Sequence, residues 1–248
     1  MKVCLAGSNA LSAENRDLLN EDSILLESFY YIKDWQLPII KKCKFFLLDS
    51  GAFTFMSNSG AKVDWKDYID RYIDFINTHD IKYFFELDVD SVLGYENVKK
   101  IRRYIEEKTG KKAIPVWHKS RGMTEWRNLC DEYDYVAIGG IVTREIKPSE
   151  HKQFRWFLNE AHMRGCKVHG LGFTSLKGLR LYKFDSVDST SWLSAQRFGS
   201  LYVFENGALR QHKKPNGMRV VSGSNLPVAQ RFVLKEWIKF QKYAEQKL

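Results

Sequence analysis

Short apolar runs that close on an acid, a histidine or a glycine constrain this chain more than any other feature. Such runs occupy residues 45–49, 83–88, 114–118, 135–140, 168–172 and 184–188, and a further apolar run without that close occupies 3–6. Their length and their β-branched and aromatic content read as buried strands. Amphipathic stretches lie between them: within 65–77, Tyr68, Ile69, Tyr72, Ile73 and Ile76 fall on one stripe at helical spacing. Similar patterns cover 98–108, 150–164 and 176–181. A last helix is expected over about 227–247, where Leu234, Trp237, Ile238 and Tyr243 can pack inward. Strands alternating with helices specify a parallel sheet covered by helices. With residues 201–204 as an eighth strand, the expectation is an α/β fold, a single (β/α)8 TIM-type barrel. At 248 residues the chain has the usual size for one such domain. The barrel core is expected over about 1–205, followed by a short basic segment and a helix over about 206–248.

The polar strand ends are what single out a barrel. Asp49-Ser50-Gly51, Asp88, His118, Gly139-Gly140 and Asp188-Ser189 each close a strand, and Gly170-Leu171-Gly172 adds another such end. In barrels the C-terminal strand ends build the active site. Side chains alternate along a strand, so Glu86, Asp88 and Asp90 are expected on one face, with Leu87 and Val89 on the other. The apolar face must meet helices, which sends the acids toward the barrel mouth. By the same alternation Asp49 shares a face with Phe45 and Leu47, and Asp188 with Phe184 and Ser186. Gathering carboxylates is costly unless chemistry or charged partners require it. Converging acids can hold Mg²⁺ for phosphoryl transfer. They can also act as nucleophile and acid/base pair at a glycosidic carbon. The pattern leaves both open, together with a non-catalytic barrel that only binds nucleic acid. An internal salt bridge is the plain account of any one acid, but the small residues after Asp49 and Asp188 leave room there for a substrate.

Lys and Arg number 39 against 30 Asp and Glu, a net charge of +9. Such a surface attracts polyanions, nucleic acid foremost, although solubility alone also accounts for basic charge. No run of about 18 apolar residues is present, so no membrane span is expected. The first residues turn polar too soon for a signal peptide, and a cytoplasmic protein is expected, in the host cytoplasm for a phage-encoded chain. The four cysteines, Cys4, Cys43, Cys130 and Cys166, are too dispersed for a disulfide framework or a local zinc site. Cys166 and His169 would point to opposite faces of a strand.

Four of the strand-end motifs carry a family resemblance. Leu48-Asp49-Ser50-Gly51-Ala52-Phe53 resembles the Asp-Ser-Gly-Gly-Phe/Tyr segment of the tRNA-guanine transglycosylase superfamily. Val136-Ala137-Ile138-Gly139-Gly140-Ile141 resembles its Ala-Ile-Gly-Gly-Leu strand, and Val168-His169-Gly170-Leu171-Gly172 its Leu-Met-Gly-Val-Gly strand. Asp185-Ser186-Val187-Asp188-Ser189 is similar to Asp-Met-Phe-Asp-Cys, whose second Asp is the nucleophile. The order agrees, over residues 45–190. The resemblance implies that Asp188 attacks the anomeric carbon to form a covalent glycosyl-enzyme. It implies Asp49 as general acid/base, Asp88 as acceptor for the guanine N1–H and N2–H, and the Gly139-Gly140 backbone near O6. Ser50 and Gly51 follow the catalytic acid in the base pocket, and Gly170 lies in the strand beside it. Phe53 and His169 take the positions that sandwich the base, and His118 that of a base-contacting glutamine.

Departures from the family point to the substrate. Its tRNA enzymes carry a C-terminal Cys-x-Cys-x-x-Cys…His zinc site, and no cysteine follows Cys166. Basic residues Arg197, Arg210, His212, Lys213, Lys214 and Arg219 stand there instead, as candidate phosphate contacts. The chain is most similar to the compact phage and bacterial branch that places 7-deazaguanine bases in DNA, and residues 187–192 share that likeness. The resemblance thus implies nucleic acid as partner, DNA before tRNA, a 7-deazaguanine base as small substrate, and neither cofactor nor metal.

Overall fold

The computed structural model describes residues 1–51, 54, 63–173, 175–195, 199–212 and 225–248. Seven strands form one parallel sheet: β1 (Lys2–Ala6), β2 (Ile24–Ser28), β3 (Phe45–Asp49), β4 (Val116–Trp117), β5 (Tyr135–Ile138), β6 (Lys167–Gly170) and β7 (Ser186–Ser189). Their spatial order is β3-β2-β1-β7-β6-β5-β4. Continuous pairing runs from β3 at one edge to β4 at the other. β1 lies between β2 and β7, with Val3 opposite Val187 and Cys4 opposite Asp188.

The expected closed eight-stranded barrel is not what forms. The parallel sheet is a half-barrel of seven strands, accompanied by a separate antiparallel pair, β8 (Leu201–Glu205) and β9 (Ala208–His212). The run at 201–204 is diverted by its own turn. Asn206 and Gly207 both have positive φ, 51° and 74°. Glu205 stands opposite Ala208, so a two-residue Asn-Gly hairpin closes locally and the run never joins the parallel sheet. The strand expected at 83–88 is also absent. It is replaced by isolated parallel bridges, Leu48 to Phe84 and Phe85 to Ile114, so both sheet edges meet this segment only at single points. β2 is a strand beyond those expected, its short apolar run of Ile24, Leu25 and Leu26 stopping at Glu27.

Period-two alternation sorts the side chains into layers. Cys4, Ala6, Ile24, Leu26, Leu47, Phe85, Ile114, Val116 and Ala137 fill the inside of the curl. Val3, Leu5, Leu25, Val136, Ile138, Val168 and Val187 belong to the outer core under the helices. Those helices are α1 (Leu37–Lys42), α2 (Trp65–Thr78), α3 (Asp90–Leu93), α4 (Tyr95–Thr109), α5 (Gly122–Glu132), α6 (Phe154–Met163), α7 (Leu176–Leu181) and α8 (Asn225–Lys247). α2 starts where the Asp64 side chain accepts from Asp67 N at 3.1 Å, and it buries the stripe read from the sequence. Two short 3-10 helices, Ser8–Ala10 and Ala13–Leu18, join β1 to β2 in place of an α-helix.

α8 returns over β1. Val233, Leu234, Trp237 and Phe240 are buried, and Gln241 Nε2 donates to the carbonyls of Val3 and Ile24 at 2.7 and 2.9 Å. The helix therefore satisfies backbone acceptors at the start of the sheet as well as covering its apolar face. Among the described residues, no helix is long and apolar enough to cross a membrane.

Candidate functional site

The C-terminal ends of the parallel strands surround a cavity of about 560 Å³. Its wall includes Gly7 and Asn9 after β1, Ser28 closing β2, Asp49 closing β3, and Asp88 and His118. Gly139 and Gly140 after β5, Leu171 and Gly172 after β6, and Asp188 on β7 complete it. The cavity size is within the range of small-molecule sites. Three acids from widely separated parts of the sequence thus face one space.

Asp188 is buried at 8% exposure and held through one oxygen. Its Oδ1 accepts from Gly172 N at 2.6 Å and lies 3.2 Å from His169 Nε2. His169 itself is 0% exposed and packs against the Phe85 ring, with centroids 5.2 Å apart. It does not form part of the cavity wall, so it supports Asp188 from beneath rather than stacking on a base. The reason is depth: His169 pairs with Ser186, two positions before Asp188 on β7. Gly170 is buried too, where an added Cβ would come within 3.0 Å of the Phe184 ring.

Asp49 is half-buried, and its Oδ2 accepts from Gly51 N at 3.1 Å. Burial pushes its carboxyl up to about 7, and the charges of Asp88 and Asp188 add to that, against the hydrogen bond from Gly51 N–H. Gly51 has φ +77°, and a Cβ there would meet Tyr68 Oη at 2.8 Å and Ser28 Oγ at 3.0 Å. Glycine is thus required for the turn that bends back onto Asp49. Ser50 is fully buried and its carbonyl accepts from Tyr68 Oη at 2.6 Å, which places it behind the wall.

Asp88 and His118 stand together. His118 Nε2 lies 3.1 Å from Asp88 Oδ2, and Nδ1 lies 3.1 Å from Glu145 Oε2. Burial opposes charge on this imidazole, but its bonds to Asp88 and Glu145 outweigh burial and raise its pKa. Glu145 is fixed in turn, because its Oε1 accepts from Ser120 N at 2.9 Å. An added Cβ on Gly139 would meet His118 Cε1 at 2.8 Å, and one on Gly140 would meet Glu145 Oε2 at 2.7 Å. The Gly-Gly pair is what lets these side chains pass so close to the strand. Gly139 N donates to Trp117 O at 2.8 Å, so its N–H is already taken.

The expected acid face of residues 86–90 is not realised. Glu86 is 0% exposed and turns away from the cavity, pairing with Arg102 Nη1 at 2.9 Å and Arg121 Nη1 at 2.8 Å. Arg121 also grips Asp90 through Nε and Nη2, at 2.8 and 2.6 Å. Without a regular strand the strict alternation fails, and Asp88 alone of the three acids lines the cavity. Arg210 is exposed on β9, 3.8 Å from Glu205. Phe53, Arg197, Lys213, Lys214 and Arg219 lie outside the described residues.

Tyr31 in the cavity wall and Glu27 buried beneath it carry no motif in the sequence. Tyr31 lines the mouth with 48% exposure and offers a ring where Phe53 and His169 had been expected to stack. Glu27 is 1% exposed below the rim and accepts from Ser8 N at 2.9 Å, which ties down the loop carrying Asn9. Burial lifts its carboxyl to about 7, with hydrogen bonds from Ser8 and Gln36 pulling the other way. The one signal in the sequence was an acid inside an apolar run. Among the described residues, no three His, Cys, Asp or Glu side chains are grouped as a bound metal ion would need. In comparisons with known proteins, no protein-family model matches this chain and no curated protein matches it.

Proposed function

We propose that this protein is a transglycosylase that exchanges a guanine for a 7-deazaguanine base in nucleic acid, through a covalent Asp188 glycosyl intermediate. The observation that carries the reading is the pairing of two carboxylates with different settings in one cavity. Asp188 has one oxygen occupied by Gly172 N–H and His169, which leaves the other oxygen to attack. Asp49, pushed up to about 7, is suited to exchange a proton near neutrality.

In the first half-reaction Asp188 attacks C1′ of the target nucleotide. The C1′–N9 bond breaks, the departing guanine takes a proton from Asp49, and an ester joins Asp188 to the sugar. In the second half, Asp49 removes the N9 proton of the incoming base. That nitrogen attacks C1′ and the ester bond to Asp188 breaks. Asp88, held by His118, accepts from N1–H and the exocyclic amine, and Gly140 N–H donates to O6. Tyr31 covers the exposed side of the ring.

A base within a duplex cannot reach this cavity while stacked. The target nucleotide must be flipped or single-stranded, at a cost of a few kcal/mol. DNA is the first substrate to try, on the likeness of residues 187–192 to the DNA-modifying branch. The test is incorporation of labelled guanine, and of a labelled 7-deazaguanine, into DNA and tRNA in parallel. Label entering neither polymer contradicts the reading. Label entering tRNA alone corrects only the partner. Chelator-sensitive phosphate release without base exchange would favour phosphoryl transfer instead.

A further inference from the structure

A line of hydrogen bonds runs down the inside of the curl from Asp188. His169 Nε2 meets Asp188 Oδ1 at 3.2 Å, His169 Nδ1 meets Ser186 Oγ, and Ser186 Oγ meets Tyr135 Oη. His169 and Ser186 are 0% and 1% exposed, so water does not substitute for these partners. A carboxylate only accepts, so Nε2 carries the proton toward Asp188. In the neutral imidazole Nδ1 is then an acceptor, which makes Ser186 its donor. Ser186 Oγ is in turn left to accept from Tyr135. All three donors therefore point the same way, toward Asp188, and the line fixes both the ring orientation and the tautomer.

We infer that His169 is a positioning residue, oriented by Ser186 and Tyr135, that holds Asp188 Oδ1 and so selects Oδ2 as the attacking atom. The inference rests on Asp188 being the nucleophile. Gly172 N–H fixes Oδ1 from the backbone at 2.6 Å, and His169 adds a second donor on the same oxygen. Two donors on one oxygen set the carboxylate plane. Oδ1 stays between these N–H groups as the ester carbonyl, and they receive the charge that returns to the carboxylate when the C1′–Oδ2 bond breaks. Such fixed donors act where charge develops and need no reorganisation. Neither Ser186 nor Tyr135 belongs to the cavity wall, so both act only through His169.

The test compares His169→Leu, His169→Gln, Ser186→Ala and Tyr135→Phe with wild type. Base exchange and the rate of covalent adduct formation are read for each. A glutamine amide can replace the Nε2–H donor and a leucine cannot. His169→Leu is expected to lower kcat on the order of 10²-fold, with KM for the base little changed, and His169→Gln should recover most of that loss. Ser186→Ala and Tyr135→Phe should lower kcat by progressively smaller factors. A His169→Leu variant as fast as wild type, or a His169→Gln variant no better than it, overturns the inference.

A second measurement is independent of activity. ¹⁵N NMR of the imidazoles in the ligand-free protein should show His169 protonated at Nε2 and bare at Nδ1. That pattern should weaken in Ser186→Ala. A ring protonated at Nδ1 alone contradicts the line of donors even where base exchange is intact. If no wild-type base exchange is found but the tautomer is as described, the catalytic reading fails while the line of donors stands.

Discussion

Gly172 N–H and Asp188 Oδ1 are 2.6 Å apart, a bond between the C-terminal ends of two neighbouring parallel strands. It turns a carboxylate on one strand with the backbone of the next, a setting that only the pairing of β6 with β7 provides. Gly172 has φ +65°, and a Cβ on it would lie 2.2 Å from Val142 Cγ2. Gly172→Ala must therefore strain the turn or push it aside, moving the N–H away from Asp188. The expected result is a kcat loss of about 10-fold to 10²-fold, with a stability loss of about 1 kcal/mol. Steady-state kinetics beside a denaturant melt separate the two, and wild-type kcat in Gly172→Ala would show that this bond does not orient the nucleophile.

Asp49 makes the first half-reaction pH-dependent. With its carboxyl near 7, the protonated acid needed by the departing base is lost as pH rises through that value. Adduct formation by wild type should fall above about pH 7, and Asp49→Asn should remove that limb while slowing the step by roughly 10²–10⁴-fold. Rapid-quench measurement from pH 5 to 9 decides the matter. The same limb persisting in Asp49→Asn would take Asp49 out of the proton transfer.

Folding stability should follow pH in the same direction. Burial raises the Glu27 carboxyl from 4.5 to about 7, so its folded form favours the proton. Its contribution is full below about pH 4.5 and is lost as pH rises through 7, on the order of 3 kcal/mol. Asp49 and His118, both raised, act in the same sense over neighbouring ranges. Tm should decline between pH 5 and 8, and Glu27→Gln should flatten the decline. An equally steep curve for that variant would assign the decline to other groups.

Glu86 and Arg102 form a stability test free of the cavity. Both side chains are buried, at 0% and 2% exposure, and 2.9 Å apart. Arg102→Ala leaves part of a buried charge without its partner and should cost about 3–5 kcal/mol. The double replacement Arg102→Met with Glu86→Gln should cost less. Urea melts of the two variants give the comparison, and a cheaper single change would contradict the account of Glu86 as a paired structural acid.

Polyanion binding should weaken log-linearly with salt. Replacing Arg210, Lys213 and Lys214 by Ala should reduce the slope by roughly two to three, at about 0.9 for each lost phosphate contact. An unchanged slope on a DNA oligonucleotide would make this segment an ordinary solvated face.

The parts of the site that sit on regular strands were legible in the sequence. Asp49 and Asp188 follow directly from period-two alternation in β3 and β7. Where strand regularity lapses, alternation no longer decides which way a side chain faces. Glu86 was sent to the mouth by alternation, but residues 83–88 meet the sheet only through single bridges, and Arg102 and Arg121 draw Glu86 outward. The diversion of 201–204 into a hairpin is encoded in Asn206-Gly207, a local turn signal that outweighs the apolar run before it. Glu145 reaches His118 across 27 positions from a loop, a contact with no local pattern. The depth of His169 depends on the β6–β7 register, which no single strand encodes.

The most direct test of base exchange is to incubate purified protein with labelled guanine and DNA, and to trap the protein–DNA adduct in parallel. Wild type should incorporate label and form an adduct that maps to Asp188. Asp188→Asn, with an unchanged melt, should do neither. Incorporation or adduct undiminished in Asp188→Asn contradicts the assignment of the nucleophile, and no incorporation by wild type into DNA or tRNA contradicts base exchange itself.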